Sequence, residues 1–240
     1  MPSPPTPPQA VDLVANRPDP LERFVSADRI ARIDHVLAHR LQSVAVACED
    51  VFDPHNVAAC VRTCEGLGLM DLHWILNRNA LRLTSTVAKS ADQWMDFYTH
   101  QGTPAAIAAL KAQGCQVWVS DLQATQTLDD LELPAKVVVV VGNAKFGISE
   151  AMRSAADQRY ILPMRGMVQS FNLSVALALT LANLVPRRRR ELALDGQSGD
   201  LSPDRLARIR RKWLEFGVDR ADIVRRVLDA EADGSGTGQP

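Results

Sequence analysis

The chain reads as an α/β protein: a largely parallel sheet flanked by helices, with helical extensions at both ends. Three observations predict this. From Ser43 onward, short β-rich runs alternate with Ala- and Leu-rich helical stretches, the pattern of strand–helix–strand crossovers. The run Val137-Val138-Val139-Val140-Val141 is unbroken and β-branched, as expected of a strand covered on both faces. Finally, 240 residues that are 46% hydrophobic suffice for one compact domain with appendages and exclude disorder of the whole chain.

The elements follow in order. Residues 1–20 are proline-rich without hydrophobic periodicity and read as a disordered tail. Residues 21–42 hold an amphipathic helix, with Ile30, Ile33, Val36 and Leu37 at helical spacing and Arg29, Arg32, His35, His39 and Arg40 opposite. Residues 43–186 form the α/β domain. Its strands are expected at Val44–Cys48, Leu72–Leu76, Gln116–Ser120, Val137–Val141 and Tyr160–Leu162. Its helices are expected near Val57–Leu67, Thr103–Gln113, Ser149–Ala156 and Leu173–Leu184.

Residues 187–232 read as a basic helical extension. Arg187-Arg188-Arg189-Arg190 is followed by a loop through Gly199, and then by a helix start. There Ser202 caps, Pro203 fits the first helical position, and Asp204 suits the positive end of the dipole. Leu206, Ile209, Trp213 and Phe216 recur at helical spacing among Arg205, Arg208, Arg210, Arg211 and Lys212, and Gly217 stops the helix. A second helix carries Ile223, Val224, Val227 and Leu228, and residues 233–240 are a flexible tail.

Net charge is −1, so no global field advertises nucleic acid, but the distribution is uneven. Residues 187–226 hold twelve basic and seven acidic residues, against fifteen and twenty-one in the remainder. That is a local footprint for a polyanion, although a solvated helical face gives the same count. The candidates for it are Arg29, Arg32, Arg78, Arg82, Arg187, Arg188, Arg208 and Arg211. The longest apolar stretch, Leu173 to Val185, is interrupted by Ser174, Thr180 and Asn183 and is too short to span a membrane. The start lacks both segments of a signal peptide, and four cysteines in a chain this long do not make a disulfide scaffold. A soluble cytoplasmic protein is the expectation.

Three glycine-containing junctions carry the chemistry. They are Asp53-Pro54-His55-Asn56 with the following helix, Gly142-Asn143-Ala144-Lys145-Phe146-Gly147, and the stretch from Leu162 to Asn172. Each alone could be only a tight connection. Together they fit one family. Asn56-(two)-Ala59-(two)-Arg62-Thr63 resembles the first motif of the knotted α/β RNA 2′-O-methyltransferases, and residues 142–147 resemble the second. Residues Pro163 to Ala176, with the core Gln169-Ser170-Phe171-Asn172-Leu173-Ser174, resemble the third. The resemblance runs from about Ile30 to Leu184, and the flanking helices point to the tRNA guanosine-18 branch.

This resemblance implies a trefoil knot at the carboxyl end of the sheet, a rare exception to unknotted topology. It also implies S-adenosylmethionine as cofactor, tRNA as substrate and a homodimer, with the apolar helix Leu173–Leu184 as an interface element. By match to the family, Ser120, Leu162 and Phe171 line the adenosine site with Ile161 and Met164 close by, and Asn143 belongs to the same loop cluster. Gly142, Gly147 and Gly166 would allow close backbone approach. Ser170 and Asn172 would orient cofactor or ribose hydroxyl, and Asn56 matches an active-site asparagine. Arg62 matches the key arginine. A guanidinium is a poor base, so gripping phosphate and positioning the 2′-hydroxyl is the role expected of it. A helix-surface ion pair is its alternative.

One residue departs from the pattern: the family's second motif has a glutamate where this chain has Ala144. That motivates a competing reading as an RNA-binding homologue with weakened turnover, and Glu150 and Asp121 are candidates to replace the carboxylate. Ribosomal RNA is the alternative substrate, and a DNA-binding module built on the C-terminal helix pair is a third reading. Cys60 and Cys64, four apart with His55 nearby, read as small buried helix residues rather than zinc ligands, so no metal is expected. Glu49, Asp50 and Asp53 read as a solvated acidic rim.

Overall fold

The computed structural model describes residues 19–77, 93–218 and 220–234. The chain divides into two compact units, residues 38–200 and residues 1–37 with 201–240.

In the first unit, six strands form one all-parallel sheet: β1 (Val44–Glu49), β2 (Asp71–Leu76), β3 (Asp96–Gln101), β4 (Gln116–Ser120), β5 (Val137–Val141) and β6 (Gln158–Tyr160), in the order β3-β2-β1-β5-β4-β6. Every residue of β1 and β5 is buried, as the valine run requires. Alternation sorts the side chains into two layers. Val44, Val46, Cys48, Val137 and Val139 pack with α2 (Pro54–Gly66) through Val57, Cys60, Val61 and Cys64. Ala45, Ala47, Val138 and Val140 pack on the other face with Ala106 and Leu110 of α3 (Thr103–Ala112) and Met152 of α4 (Glu150–Ala155). The two helical cysteines are core residues, and burial pushes the Cys64 thiol up. The strand order reverses between β1 and β5, which places a ligand crevice at the carboxyl ends of those strands.

Two elements differ from expectation. β3 was not anticipated, although its Phe97, Tyr98 and Thr99 suit a strand, and it pairs with β2 from Asp71↔Asp96 to Leu76↔Gln101. β6 ends at Tyr160, two residues earlier than the apolar pattern indicates, because Tyr160 is the last residue in register with β4.

The larger correction concerns the arginine run. Helix α5 spans Leu173–Leu194 and continues through Pro186, so the boundary expected there falls inside a helix and residues up to Asp200 belong to the sheet unit. Arg187 and Arg188 are turned inward rather than offered to a polyanion. Arg187 donates to the carbonyls of Leu128 (2.7 Å) and Leu131 (2.5 Å), and Arg188 donates to the Pro134 carbonyl and to Glu191. Arg189 takes the carbonyls of His39, Ser198 and Leu67. The connection between β4 and β5 leaves the carbonyls of Leu128, Leu131 and Pro134 without ladder partners, and guanidinium groups with five donors each satisfy them.

The second unit contains a single 3-10 turn (Pro20–Phe24), α1 (Ala27–Ala38), α6 (Pro203–Glu215) and α7 (Ala221–Gly234). Ser202 caps α6 as expected, accepting from the Arg205 N–H. Buried Arg210 holds the unit together by donating to Asp34 and Glu22, both at 2.6 Å, and those hydrogen bonds raise its pKa further. Arg29, Arg32, Arg208 and Arg211 are exposed, with Arg211 3.5 Å from Asp19. Arg78 and Arg82 lie outside the described residues. No described helix is long and apolar enough to cross a membrane.

Candidate functional site

A cleft of about 640 Å³ opens at the carboxyl ends of β4 and β5, in the range of small-ligand sites. Ser120 to Gln123 form one wall, residues 140–148 a second, and Leu162, Met164 and Ser170 to Leu173 a third. The loop 142–147 and the stretch from Leu162 to Asn172 thus meet around one cavity, while no residue of the first motif lines it. Ile161 and Gly166 are exceptions among the expected lining residues. Ile161 spends its N–H on the Gln126 carbonyl, away from the cleft. At Gly166 a Cβ would meet nothing within 4 Å, so no protein atom forces a glycine there.

The loop 142–147 is built by its own residues. Asn143 and Gly147 exchange backbone hydrogen bonds at 2.9 and 2.8 Å, which brings the two ends of the loop together. The closure leaves no space at Gly142, where a Cβ would lie 2.2 Å from the Gly147 carbonyl carbon. Gly147 itself sits at φ +68°, a conformation that favours glycine. The Asn143 carboxamide is consumed inside this structure. It donates to the Asp50 carbonyl at 2.8 Å and accepts from the Lys145 and Phe146 amides. Asn143 therefore lines the cleft by shaping it.

The first and third motifs meet through two asparagines. Asp53 caps α2 by accepting from the His55 and Asn56 amides, so Asn56 stands in the first turn. Asn172 caps α5 with its Oδ1, accepting from the Ser174 amide, and donates from Nδ2 to Asn56 Oδ1 at 3.0 Å. Asn172 lines the cleft, so Asn56 is tied to the cleft's edge. The remaining donor of Asn56, its own NH₂, is left for a ligand. Arg62 is exposed on α2, and among the described residues it has no hydrogen-bond or ion-pair partner, so the ion-pair alternative has no support. Ser170 is exposed on the cleft wall.

Two carboxylate networks were not legible as such. Asp121 lines the cleft and holds Arg153 at 2.5 Å and Arg159 at 3.3 Å. Burial opposes its ionisation, but the hydrogen bonds from Arg153 and the Gln123 amide keep its carboxyl below the usual range. Glu49 and Asp50, expected as a solvated rim, are buried instead. Glu49 accepts from Thr103 Oγ1 and from the Ser149 amide and hydroxyl, both at 2.7 Å, so it ties β1 to the start of α3 and α4. Asp50, at φ +52°, accepts from the Asn77 amide at 2.8 Å. A buried carboxylate is tolerated when donors surround it, and both are surrounded. Among the described residues, no group of three or more His, Cys, Asp or Glu is placed to hold a metal.

Residues 43–182 match the model of the SpoU rRNA Methylase family. Over 177 residues the chain is 32% identical to a tRNA (guanosine(18)-2′-O)-methyltransferase of Escherichia coli (strain K12), covering 73% of this chain and 77% of that protein. Among solved structures, the A. aeolicus TrmH/SpoU tRNA modifying enzyme superposes with a TM-score of 0.69 at 26% identity, covering 83% of this chain and 99% of that one. The SpoU methyltransferase AviRb from Streptomyces viridochromogenes, solved in complex with the cofactor AdoMet, shares the fold at a TM-score of 0.53 and 20% identity, over 68% of this chain and 62% of that one.

Proposed function

The chain belongs to the SpoU rRNA Methylase family, and on that premise we propose that it methylates the 2′-hydroxyl of guanosine 18 in the D-loop of tRNA, using S-adenosylmethionine. The observation that carries this reading is the junction at Asn172, which lines the cleft and also holds Asn56 at 3.0 Å. A cofactor cavity and the motif expected to position the acceptor hydroxyl are thereby adjacent. The tRNA (guanosine(18)-2′-O)-methyltransferases among the relatives supply the substrate.

The cleft fits the cofactor. Gly142 has no room for a Cβ, Val140, Leu162 and Phe171 offer apolar walls for a purine ring, and Ser120, Gln123 and Ser170 supply polar groups. S-adenosylmethionine bound there supplies the transferable methyl group. The chain's own residues do the positioning. Arg62, charged and without a partner among the described residues, grips a backbone phosphate of the RNA by a two-pronged contact. The Asn56 NH₂ and the Ser170 hydroxyl then orient the ribose, which converts an encounter into an aligned reaction.

A trefoil knot at the carboxyl end of the sheet, a homodimer and a cytoplasmic location belong to the same proposal. Exposed Val175 and Leu179, four residues apart on α5, support the dimer by giving that helix an apolar outer stripe. The basic residues Arg29, Arg32, Arg208 and Arg211 of the second unit supply phosphate contacts. Ala144 favours a second reading, an RNA-binding homologue with slow turnover. One experiment tests both: pure protein, S-adenosylmethionine and unmodified tRNA, with ribose methylation mapped by mass. A single methylated D-loop guanosine is expected. Tight tRNA binding without methylation would favour the second reading, and methylation of ribosomal RNA alone would overturn the tRNA assignment.

A further inference from the structure

A second cavity, of about 480 Å³, lies beside the first and shares the loop wall Asn143, Phe146, Gly147 and Ile148 with it. Its other side is made by Glu49, Asp50 and Phe52 and by Ser149 and Glu150. We propose that this cavity receives the guanine base of the target nucleotide, with Phe146 as its stacking surface and Glu150 as the acceptor of its Watson–Crick edge. The inference rests on the reading above and names how the base is chosen.

Three observations carry it. The ribose must sit against the cofactor, so a pocket for its own base has to adjoin the cofactor cleft, and this cavity shares a wall with it. Proteins that read single-stranded RNA stack splayed bases on aromatic rings. Phe146 lines both cavities and is 62% exposed, and Phe52 lines the second. The third observation concerns the carboxylates. Glu49 and Asp50 already accept from Thr103, Ser149 and Asn77. Glu150 is 81% exposed, and its recorded partners are Arg153 at 3.5 Å and Ser154 at 3.2 Å. It has acceptor capacity left, because a carboxylate offers about four lone-pair sites.

The chemistry then selects one base. A carboxylate accepts from two adjacent donors, and guanine alone presents such a pair, N1–H beside N2–H₂. Adenine and cytosine place an acceptor next to their amino group, and uracil flanks its single N–H with carbonyls. A site built to accept these hydrogens rejects an analogue that lacks one of them.

The test uses the full chain and tRNA transcripts carrying guanosine, inosine or adenosine at position 18. Inosine keeps N1–H and lacks the N2 amine. Wild type should prefer guanosine over inosine by about tenfold or more in kcat/KM, and adenosine should be rejected more strongly. Glu150→Ala should lower kcat/KM on guanosine and bring inosine within about twofold of it, with affinity for S-adenosylhomocysteine unchanged. Glu150→Gln should not rescue, since a carboxamide can turn only one acceptor to the pair. Phe146→Ala should raise KM on guanosine and inosine alike. A Glu150→Ala protein that keeps the full guanosine preference overturns the proposal while leaving the methyltransferase reading intact. Wild type that methylates none of the transcripts overturns that reading instead. The pocket is then judged by saturation-transfer NMR with guanosine, inosine and adenosine 5′-monophosphates on protein saturated with S-adenosylhomocysteine, and absence of a guanine preference overturns it.

Discussion

Arg62 and the run Arg187 to Arg189 are the same residue type on two helices of one unit, and the structure uses them in opposite ways. Arg62 stands exposed on α2, with no partner among the described residues. The three arginines of α5 reach inward and hold carbonyls of four separated segments. On charge count alone the run looks like the nucleic-acid contact and Arg62 looks like an ordinary surface residue. The difference lies in the acceptors. Irregular connections such as 128–134 leave backbone carbonyls that must be satisfied, and a long planar donor nearby is drawn to them. A cation left over after that accounting is the one available to a substrate.

The largest effect expected from this contrast is at Arg62. Arg62→Ala should lower methyl transfer by at least about 10²-fold, because a lost electrostatic and positioning contact of this kind costs that much. The thermal midpoint should hardly move, since surface substitutions without partners fall within about 0.5 kcal/mol. Arg62→Lys should also be poor, an ammonium being unable to reproduce a planar two-pronged contact. Single-turnover rates together with a melting curve check both halves. Normal turnover in Arg62→Ala would break the comparison outright.

Arg188→Ala should do the reverse. The half-buried Pro134 carbonyl loses its guanidinium and Glu191 loses its ion-pair partner, at a cost of about 1–3 kcal/mol. For a domain of this size that is a drop of several degrees in Tm, at about 2–4 °C per kcal/mol. The salt dependence of tRNA binding should not change, because no phosphate is released. Arg190, exposed on the same run and without a partner among the described residues, is the internal control. Arg190→Ala should leave Tm alone and at most flatten the salt slope by about one unit. A salt slope that changes in Arg188→Ala would show that the inward geometry yields when RNA binds.

Much of this arrangement was legible in the sequence, and the rest has a common physical cause. β1, β5 and the loop 142–147 could be read because their signals are local: a valine run, alternation, and glycines at a closure that tolerates no Cβ. The roles of Glu49 and Asp50 could not, because a carboxylate's burial depends on donors such as Thr103 and Ser149, which are 54 and 100 residues away. The continuation of α5 past Pro186 was hidden for the same reason. A proline inside the pattern ends a helix by local propensity, whereas the arginines beyond it are anchored on carbonyls more than 50 residues upstream. Asn56 and Asn172 lie between these cases. Their places at helix starts, Asn56 in the first turn of α2 and Asn172 as the cap of α5, are local, and the 3.0 Å bond that joins them spans 116 residues.

The smallest expected effect tests what the free state of Arg62 costs the chain. The loop 142–147 carries Ala144, exposed, where the family pattern has a glutamate. Of the two candidate replacements, Asp121 is held by Arg153 and Arg159, whereas Glu150 is exposed with Arg153 at 3.5 Å. Residue 144 has room for a longer side chain because it faces solvent. If a carboxylate there would orient the arginine, Ala144→Glu should raise turnover a few-fold in wild type, since coupling between neighbouring groups begins near 0.5 kcal/mol. In the Arg62→Ala background the same substitution should change nothing, because there is no guanidinium left to orient. Such non-additivity identifies two groups acting as one. An equal gain in both backgrounds would mean that the added carboxylate acts elsewhere, on the loop or on the cofactor. No gain in either would mean that Arg62 works without a partner, with the RNA phosphate itself as its first counter-ion.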